Sequence, residues 1–292
     1  MRQHPIWNVA VFGFANGGVV AAVRAAAGAG APPLLSAVVQ TGGAGLLLLA
    51  WTLARSGFPR RDGRFWRYCL LAGLLGLAVP TSIDYNVSAK VDPAVAGLLF
   101  ALPPSLTYAA SVLLGQDEAE RRRMVGVALG LGGALLVLLP DVISSGVGRG
   151  WALLGLVVPL SLTTGNVYRS WAWPDGSTPA SLAAGTLLLA SCLLAVPAAL
   201  MGHLTAAGLT AKGLLLLAVE AGVTAPAFVF FYDLQRRGGP VYLSLIGYAV
   251  AAAGVLFAAL VFGEEPGWTA YAGFAVILAS FAFARPKGRS DG

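Results

Sequence analysis

Residues 64–90 read RFWRYCLLAGLLGLAVPTSIDYNVSAK, and residues 211–237 read AKGLLLLAVEAGVTAPAFVFFYDLQRR. Each stretch is a long apolar run with one internal proline and a tyrosine towards its end. Tyr85 and Tyr232 are 147 residues apart. Self-similarity at a fixed spacing indicates an internal repeat, so the second half of the chain is related to the first. The same spacing relates further landmarks, namely Pro93 with Pro240 and Gly126 with Gly273.

The composition is that of a membrane protein. Hydrophobic residues make up 57% of the chain and charged residues 11%, too few to cover the surface of a water-soluble fold. The net charge of +6 comes from short connections, which favours contact with anionic lipid over nucleic-acid binding. Cys69 and Cys192 lie in apolar runs, so neither a disulfide framework nor a metal site is expected.

Ten apolar runs of 17 to 24 residues are each long enough to cross a hydrocarbon core of about 30 Å as a helix. Prolines open several of them, as suits the first turn of a helix, and tryptophans lie at many of their ends. The runs start near Pro5, Pro33, Phe65, Pro93, Met124, Trp151, Pro179, Gly213, Pro240 and Trp268.

Positive charge predicts the orientation of these spans. Of the 19 lysines and arginines, 15 fall in the connections on one side and 4 on the other, so both termini are predicted to be cytoplasmic. Residues 1–146 and 147–292 each contain five spans, an odd number, so the second repeat enters the membrane upside down. The predicted fold is an all-α integral membrane domain of ten transmembrane helices in two inverted five-helix repeats.

Several motifs carry a resemblance to a known family. Residues 96–115, with Pro103-Pro104-Ser105-Leu106-Thr107, look like a "slyPvltallalllLGE" segment, and residues 262–265 resemble its ending. Residues 13–16 look like "WGsn", and residues 85–89 like "fyAl". On these motifs the chain resembles the EamA-like ten-helix branch of the drug/metabolite transporter superfamily. The resemblance implies a proton-coupled or exchange carrier of small metabolites, often an exporter of amino acids or related compounds, without a cofactor.

Prolines within spans are the first candidates for a functional site. Pro80 in span three and Pro226 in span eight occupy nearly equivalent places, and each frees a backbone carbonyl. Interrupted spans at corresponding positions indicate a transport site, because unwound backbone is tolerated only where it faces a cavity. Pro103 is a third predicted hinge. Ordinary packing kinks are the alternative.

Two carboxylates lie within the spans. An ionised carboxylate near the bilayer centre costs about 2.5–3.5 kcal/mol on insertion scales, so it usually faces a partner, water or a cavity. Glu220 and Asp84 are therefore candidates for proton coupling or for a counter-ion to a substrate amine. Asp84 is closer to a span end and is equally well explained as an interfacial group.

Uncharged polar side chains complete the predicted substrate site. Asn16 and Asn166 are 150 residues apart, close to the repeat spacing, and an amide can meet a zwitterion without burying a charge. Helix-to-helix hydrogen bonding and lipid-facing or packing roles are the alternatives. The remaining predicted substrate-binding residues are Gln40, Tyr85, Tyr108, Tyr168, Tyr232 and Tyr248.

Arg169 follows these residues near the cytoplasmic end of span six. It could bind a substrate carboxylate bidentately, but an arginine at a span end more often extends to lipid phosphate. Extension to lipid is the favoured interpretation.

The sequence predicts a secondary carrier in the inner membrane, working by alternating access and exporting an amino acid or related compound. Its expected partners are the lipid bilayer, a small-molecule substrate and protons as coupling ion, and it is expected to be a monomer or weak homodimer. An intramembrane enzyme lacks support, because His4 and His203 lie outside the spans and form no catalytic or metal-binding motif. A channel is the other alternative, without a filter-like motif.

Overall fold

The structure is a computed structural model that describes residues 22–23, 25–56, 62–88, 102–144, 149–205, 208–244, 246–247 and 268–283. Over these ranges the chain forms helices joined by turns and contains no strand. The helical class predicted from the sequence is therefore confirmed.

The helices of the described ranges are numbered here in chain order. They are α1 (Pro33–Ser56), α2 (Gly63–Gly73), α3 (Val79–Ser88), α4 (Pro103–Leu113), α5 (Arg121–Ser144), α6 (Arg149–Gly155), α7 (Val157–Trp171), α8 (Pro179–Leu200), α9 (Ala211–Ser244) and α10 (Trp268–Phe283). A π-helical segment, Leu74–Ala78, joins α2 to α3.

Four helical stretches of the described chain are long and apolar enough to cross a membrane. They are Pro33–Arg55, Gly63–Asp84, Pro179–Leu200 and Ala211–Pro240. They coincide with the second, third, seventh and eighth predicted spans. Helices also occupy the predicted fifth, sixth and tenth spans, whereas most of the first and ninth and the start of the fourth lie outside the described residues. The ten-helix arrangement in inverted repeats stays a prediction.

The long helix α9 contains one break. Gly239 has φ 73° and ψ −176°, a conformation that is essentially restricted to glycine. The helix is therefore two helices in sequence, and Pro240 starts the second one, where the missing N–H of proline costs nothing. The break lies where the eighth and ninth predicted spans meet.

The π-helical segment is explained by Pro80. The N–H of Val79 bonds to the carbonyl of Leu74, five residues back, and the next bond in this register needs an N–H on Pro80. Proline has none, so the carbonyl of Leu75 is left without that donor. The hydroxyl of Ser161 in α7 donates to it instead, at 2.7 Å. This hydrogen bond joins the third span to the sixth, near the buried Pro80.

Small residues bring particular helices together. The most extensive helix contacts in the described chain join α5 to α10 and α1 to α8. A Cβ added to Gly133 would lie 2.8 Å from the carbonyl oxygen of Gly273, and one added to Gly42 would lie 2.7 Å from Oγ of Ser191. These backbones approach so closely because glycine leaves the space for them.

Buried side chains of α2, α8 and α9 form one cluster. Tyr68 and Cys69 of α2 pack with Leu182 and Leu187 of α8 and with Tyr232 of α9, all at most 1% exposed. Packing of this density holds the three helices in one fixed arrangement.

Replacing Thr178 by alanine is expected to cost about 1 kcal/mol of stability, because the side chain caps α8. The Thr178 hydroxyl accepts from the Ser181 N–H at 3.2 Å, and Ser181 Oγ accepts from the Thr178 N–H at 3.1 Å. The measurement is the melting temperature of the detergent-purified protein. Thr164→Ala is the matched control, because that exposed hydroxyl only bonds back to the Leu160 carbonyl. Equal melting temperatures for both variants would contradict the capping role.

Candidate functional site

Arg169 lies inside the protein, which corrects the interpretation favoured from the sequence. Its residue surface is 3% exposed, so the side chain does not extend to lipid phosphate. Instead it points between helices. The cause is the packing of α7 against the third span, where a glycine makes room for the guanidinium group.

That glycine is Gly76, in the π-helical segment. A Cβ added to Gly76 would overlap Nη1 of Arg169. One turn earlier in α7, a Cβ added to Gly165 would lie 3.1 Å from the backbone nitrogen of Gly76. The two glycines therefore mark the crossing of the third and sixth spans, and the guanidinium group fills the space beside it.

The guanidinium group is held by neutral groups. Nε donates to Oε1 of Gln235 at 3.1 Å, and Nη2 donates to Oδ1 of Asn166 at 2.5 Å. Its central carbon lies 4.9 Å from the ring centroid of Phe231, within cation–π distance. No carboxylate of the described residues forms a salt bridge with it. The described residues form salt bridges elsewhere, where Arg123 and Arg237 pair with acidic neighbours.

Further hydrogen bonds orient both amides towards the arginine. The Gln235 amide nitrogen donates to the Asn166 carbonyl at 2.8 Å and to Oγ of Ser170 at 3.1 Å. The Asn166 amide nitrogen donates to Oγ1 of Thr107 at 3.4 Å. Because each amide uses its nitrogen elsewhere, its oxygen is fixed as an acceptor for the guanidinium group. We call Arg169, Asn166, Gln235, Thr107 and Ser170 the arginine centre.

A second polar centre lies nearer the start of α9. Glu220 is fully buried, and neither carboxylate oxygen has a hydrogen-bond partner among the described residues. One turn later, Oγ1 of Thr224 accepts from Nε2 of Gln40 in α1 at 2.9 Å. We call Glu220, Thr224 and Gln40 the glutamate centre. Gln40 and Glu220 were predicted from the sequence, and the structure brings them to neighbouring turns of two packed helices.

The two centres are separate. Glu220 and Gln235 are fifteen residues apart on the first, unbroken part of α9, which corresponds to about 22 Å at 1.5 Å per residue. A small metabolite cannot contact both at once.

Aromatic side chains pack around the arginine centre. The rings of Tyr68 and Tyr168 are stacked at 5.8 Å, and Trp173 lies 6.0 Å from Tyr232. The Tyr68 hydroxyl donates to the Arg169 carbonyl at 3.1 Å, and the hydroxyls of Tyr232 and Thr186 share a 2.6 Å hydrogen bond. The cluster therefore contacts the backbone of Arg169 through Tyr68.

A cleft of about 340 Å³ opens beside this cluster. It lies at the end of α7 and next to the break in α9. Gln235 lines it and also accepts a hydrogen bond from Arg169, so this side chain lies between the cleft and the guanidinium group. Its other lining residues are Gln116, Ser170, Trp171, Trp173, Arg236, Gly239 and Pro240.

Other predicted site residues are not among those that form the two centres. Tyr108 is buried in α4, where its hydroxyl accepts from the Glu120 N–H at 3.0 Å and secures the connection to α5. Asp84 is half-buried in α3. Pro226 is exposed on α9, and Pro103 starts α4. The structure describes only the backbone of Tyr85, and Asn16 and Tyr248 lie outside the described residues.

Gln235, Thr224 and Thr107 were missed in the sequence. Gln235 precedes two arginines and therefore resembles a solvated span end. Threonine is common in membrane helices as a packing residue. Thr224 could have been found from its spacing: it lies four residues after Glu220, so the two residues share a face of the same helix.

Two comparisons with known proteins point to membrane transporters. Residues 6–139 match the EamA-like transporter family. The uncharacterized inner membrane transporter YedA of Escherichia coli strain K12 is 32% identical over 170 residues, and the YedA proteins of strains O6:H1 and O157:H7 match equally. The alignment covers 56% of this chain and 54% of YedA, so the chain spans about half the length of the curated relatives it matches.

The fold is also known from experiment. One solved crystal structure, described without a protein name, superposes with a TM-score of 0.76 at 19% identity, covering 94% of this chain and 97% of the other. At this identity the likeness concerns the fold alone. The match of residues 6–139 to the EamA-like transporter family and the relation to YedA agree with the resemblance seen in the motifs: this chain is similar to EamA-like membrane transporters.

Proposed function

We propose that this transporter is a secondary carrier that moves a small organic metabolite across the cytoplasmic membrane by alternating access, exporting an amino acid or a related compound. The observation that carries the proposal is the pair of buried polar centres. A guanidinium group and a carboxylate are each placed inside apolar helices without an opposite charge among the described residues. Ionisable groups in membrane segments are costly and mark substrate or ion pathways.

The helix pairing supports alternating access. Span two packs on span seven and span five on span ten, so each of these helices contacts its counterpart in the other predicted repeat. Two related halves that meet across a pseudo-twofold axis produce this pairing, and rocking of one half against the other exposes a central site to each side in turn. The inverted repeats, 1–146 and 147–292, and the cytoplasmic location of both termini are part of this proposal.

Within this scheme the centres have different roles. The arginine centre and the adjoining cleft bind the solute on the cytoplasmic side. Glu220 serves proton coupling, because an unpartnered buried carboxylate can gain and lose a proton as its access to water changes. Asn16, Tyr85 and Tyr248 are proposed to complete the cavity, and Asp84 is a second candidate for coupling.

Counterflow in proteoliposomes tests the proposal. Vesicles are loaded with an unlabelled amino acid, amine, nucleoside or sugar, and entry of the same labelled compound is followed with and without a pH gradient. A carrier is expected to show saturable entry that the internal compound stimulates, with empty vesicles as the control. Flux linear in concentration and without stimulation would indicate a channel, and recovery of a changed compound would indicate an enzyme.

A further inference from the structure

We infer that Arg169 is the binding group for a carboxylate of the transported solute, which reaches it from the cleft beside the break in α9. The inference rests on the proposed carrier function and narrows its substrate to small carboxylates.

The first step is a count of hydrogen-bond donors. A guanidinium group has five N–H bonds. Gln235 and Asn166 accept two of those of Arg169, and the described residues accept none of the other three. Three free N–H bonds, on Nη1 and Nη2, suffice for the two parallel hydrogen bonds of a bidentate arginine–carboxylate pair.

The second step concerns charge. A buried ion without an opposite charge costs several kcal/mol, and amide oxygens offset only part of this cost. The acidic side chains that form ion pairs in the described chain are engaged elsewhere, Asp117 and Glu120 with Arg123 and Asp233 with Arg237. Among the described residues, no negative charge therefore pairs with Arg169, and in this proposal an anionic ligand supplies one.

The third step selects the anion. One guanidinium group neutralises a single negative charge, which matches a carboxylate, whereas a phosphate ester would leave part of its charge of about −1.5 to −2 uncompensated. The planar guanidinium group, with two parallel N–H bonds, matches the two oxygens of a planar carboxylate.

The fourth step concerns access and size. The cleft of about 340 Å³ is near the lower end of the range of about 300–1,000 Å³ for ligand sites, which suits a small solute. Trp171 and Trp173 offer apolar surface to the body of the solute. Gln235 and Ser170 form the polar side of the cleft, and Gln235 contacts Arg169. Glu220 lies about 22 Å away along α9. It therefore cannot bind the amine of a small solute whose carboxylate is bound by Arg169.

The experiment compares acids with matched amides. Counterflow and ligand-induced thermal shift are measured for leucine, phenylalanine and glutamine against leucinamide, phenylalaninamide and glutamine amide, with phenyl phosphate as a further probe. In the wild type the acids are expected to exchange at least tenfold faster than the amides, and phenyl phosphate is expected not to exchange. Arg169→Gln is expected to lower exchange of the acids at least tenfold and to remove the preference for them.

Two further variants make the test decisive. Arg169→Lys keeps the charge but loses the fork, so it is expected to lose most of the preference even if Arg169→Gln does not fold. Arg237→Gln removes an exposed arginine of α9 and is expected to behave as the wild type. A wild type that exchanges amides as fast as acids, or an Arg169→Lys variant with full preference, would overturn the inference and leave the carrier function intact. Absence of counterflow and thermal shift for the whole wider panel would overturn both.

Discussion

Glu220→Gln is expected to make solute exchange independent of a pH gradient while leaving the protein folded. Glutamine has nearly the same shape as glutamate but neither gains nor loses a proton. Glu220 is fully buried, its oxygens have no hydrogen-bond partner among the described residues, and the nearby polar groups there, Gln40 and Thr224, are uncharged. No other side chain near the glutamate centre can therefore replace its proton in the described part of the chain.

The size of the effect is expected to be large. The increase in net uptake caused by a pH difference across the vesicle membrane, acid inside or alkaline inside, should fall at least tenfold. Counterflow without a pH difference should change little. The variant should also be at least as thermostable as the wild type, because an ionised carboxylate at membrane depth costs about 2.5–3.5 kcal/mol and a neutral amide costs less. The measurements are uptake at a series of imposed gradients and the melting temperature in detergent.

Asp233→Asn is the matched control, because it removes a carboxylate of the same helix that is paired with Arg237 and partly exposed. It is expected to keep the response to the gradient. A Glu220→Gln variant that is still stimulated by the gradient would exclude this residue from coupling, and a wild type without any such stimulation would remove proton coupling itself from the proposal.

Gly76→Ala is expected to disable the arginine centre without removing any of its polar groups. The new Cβ would occupy the position of Nη1 of Arg169, so the guanidinium group has to move or the third and sixth spans have to separate. Overpacking of this kind costs about 1–3 kcal/mol. The displaced guanidinium group also no longer presents its free N–H bonds to the carboxylate of the solute. We therefore expect at least a tenfold loss of exchange of the acids that the wild type transports.

Gly132→Ala provides the comparison. A Cβ at Gly132 meets no atom within 4 Å, so this variant is expected to be as stable as the wild type or slightly more so, because alanine is a better helix former. Melting temperature and counterflow are measured for both variants. A Gly76→Ala protein that matches the Gly132→Ala protein in both would show that the position beside Arg169 tolerates a methyl group and that the guanidinium site is not constrained as described.

The helices were predictable because hydrophobic length alone decides whether a segment spans a bilayer. Pro33 and Pro179 open α1 and α8 as the sequence indicates. The interruption at Pro80 was also predictable, because a proline deep in a helix must disturb the backbone hydrogen bonds around it. That the disturbance takes the form of a π-helical segment was not, because the donor that compensates for it, Ser161, comes from another helix.

The arginine centre was only partly predictable. Local sequence places Arg169 at a span end, where extension to lipid is the usual outcome. Its burial depends on Gly76, which lies 93 residues earlier, and on Gln235, which lies 66 residues later. Contacts between distant segments do not leave a periodic signal in the chain. Glu220 was predictable because its depth within a span follows directly from counting residues.

One helix carries a residue of each polar centre. From Ala211 to the residue before Gly239, α9 keeps helical geometry, and it bears Glu220 near one end and Gln235 near the other. A tilt or rotation of this helix therefore moves Glu220 and Gln235 together, and Gln235 is a hydrogen-bond partner of Arg169. Neutralising Glu220 is in this way coupled to the position of Gln235 over about 22 Å, through the backbone of α9 alone.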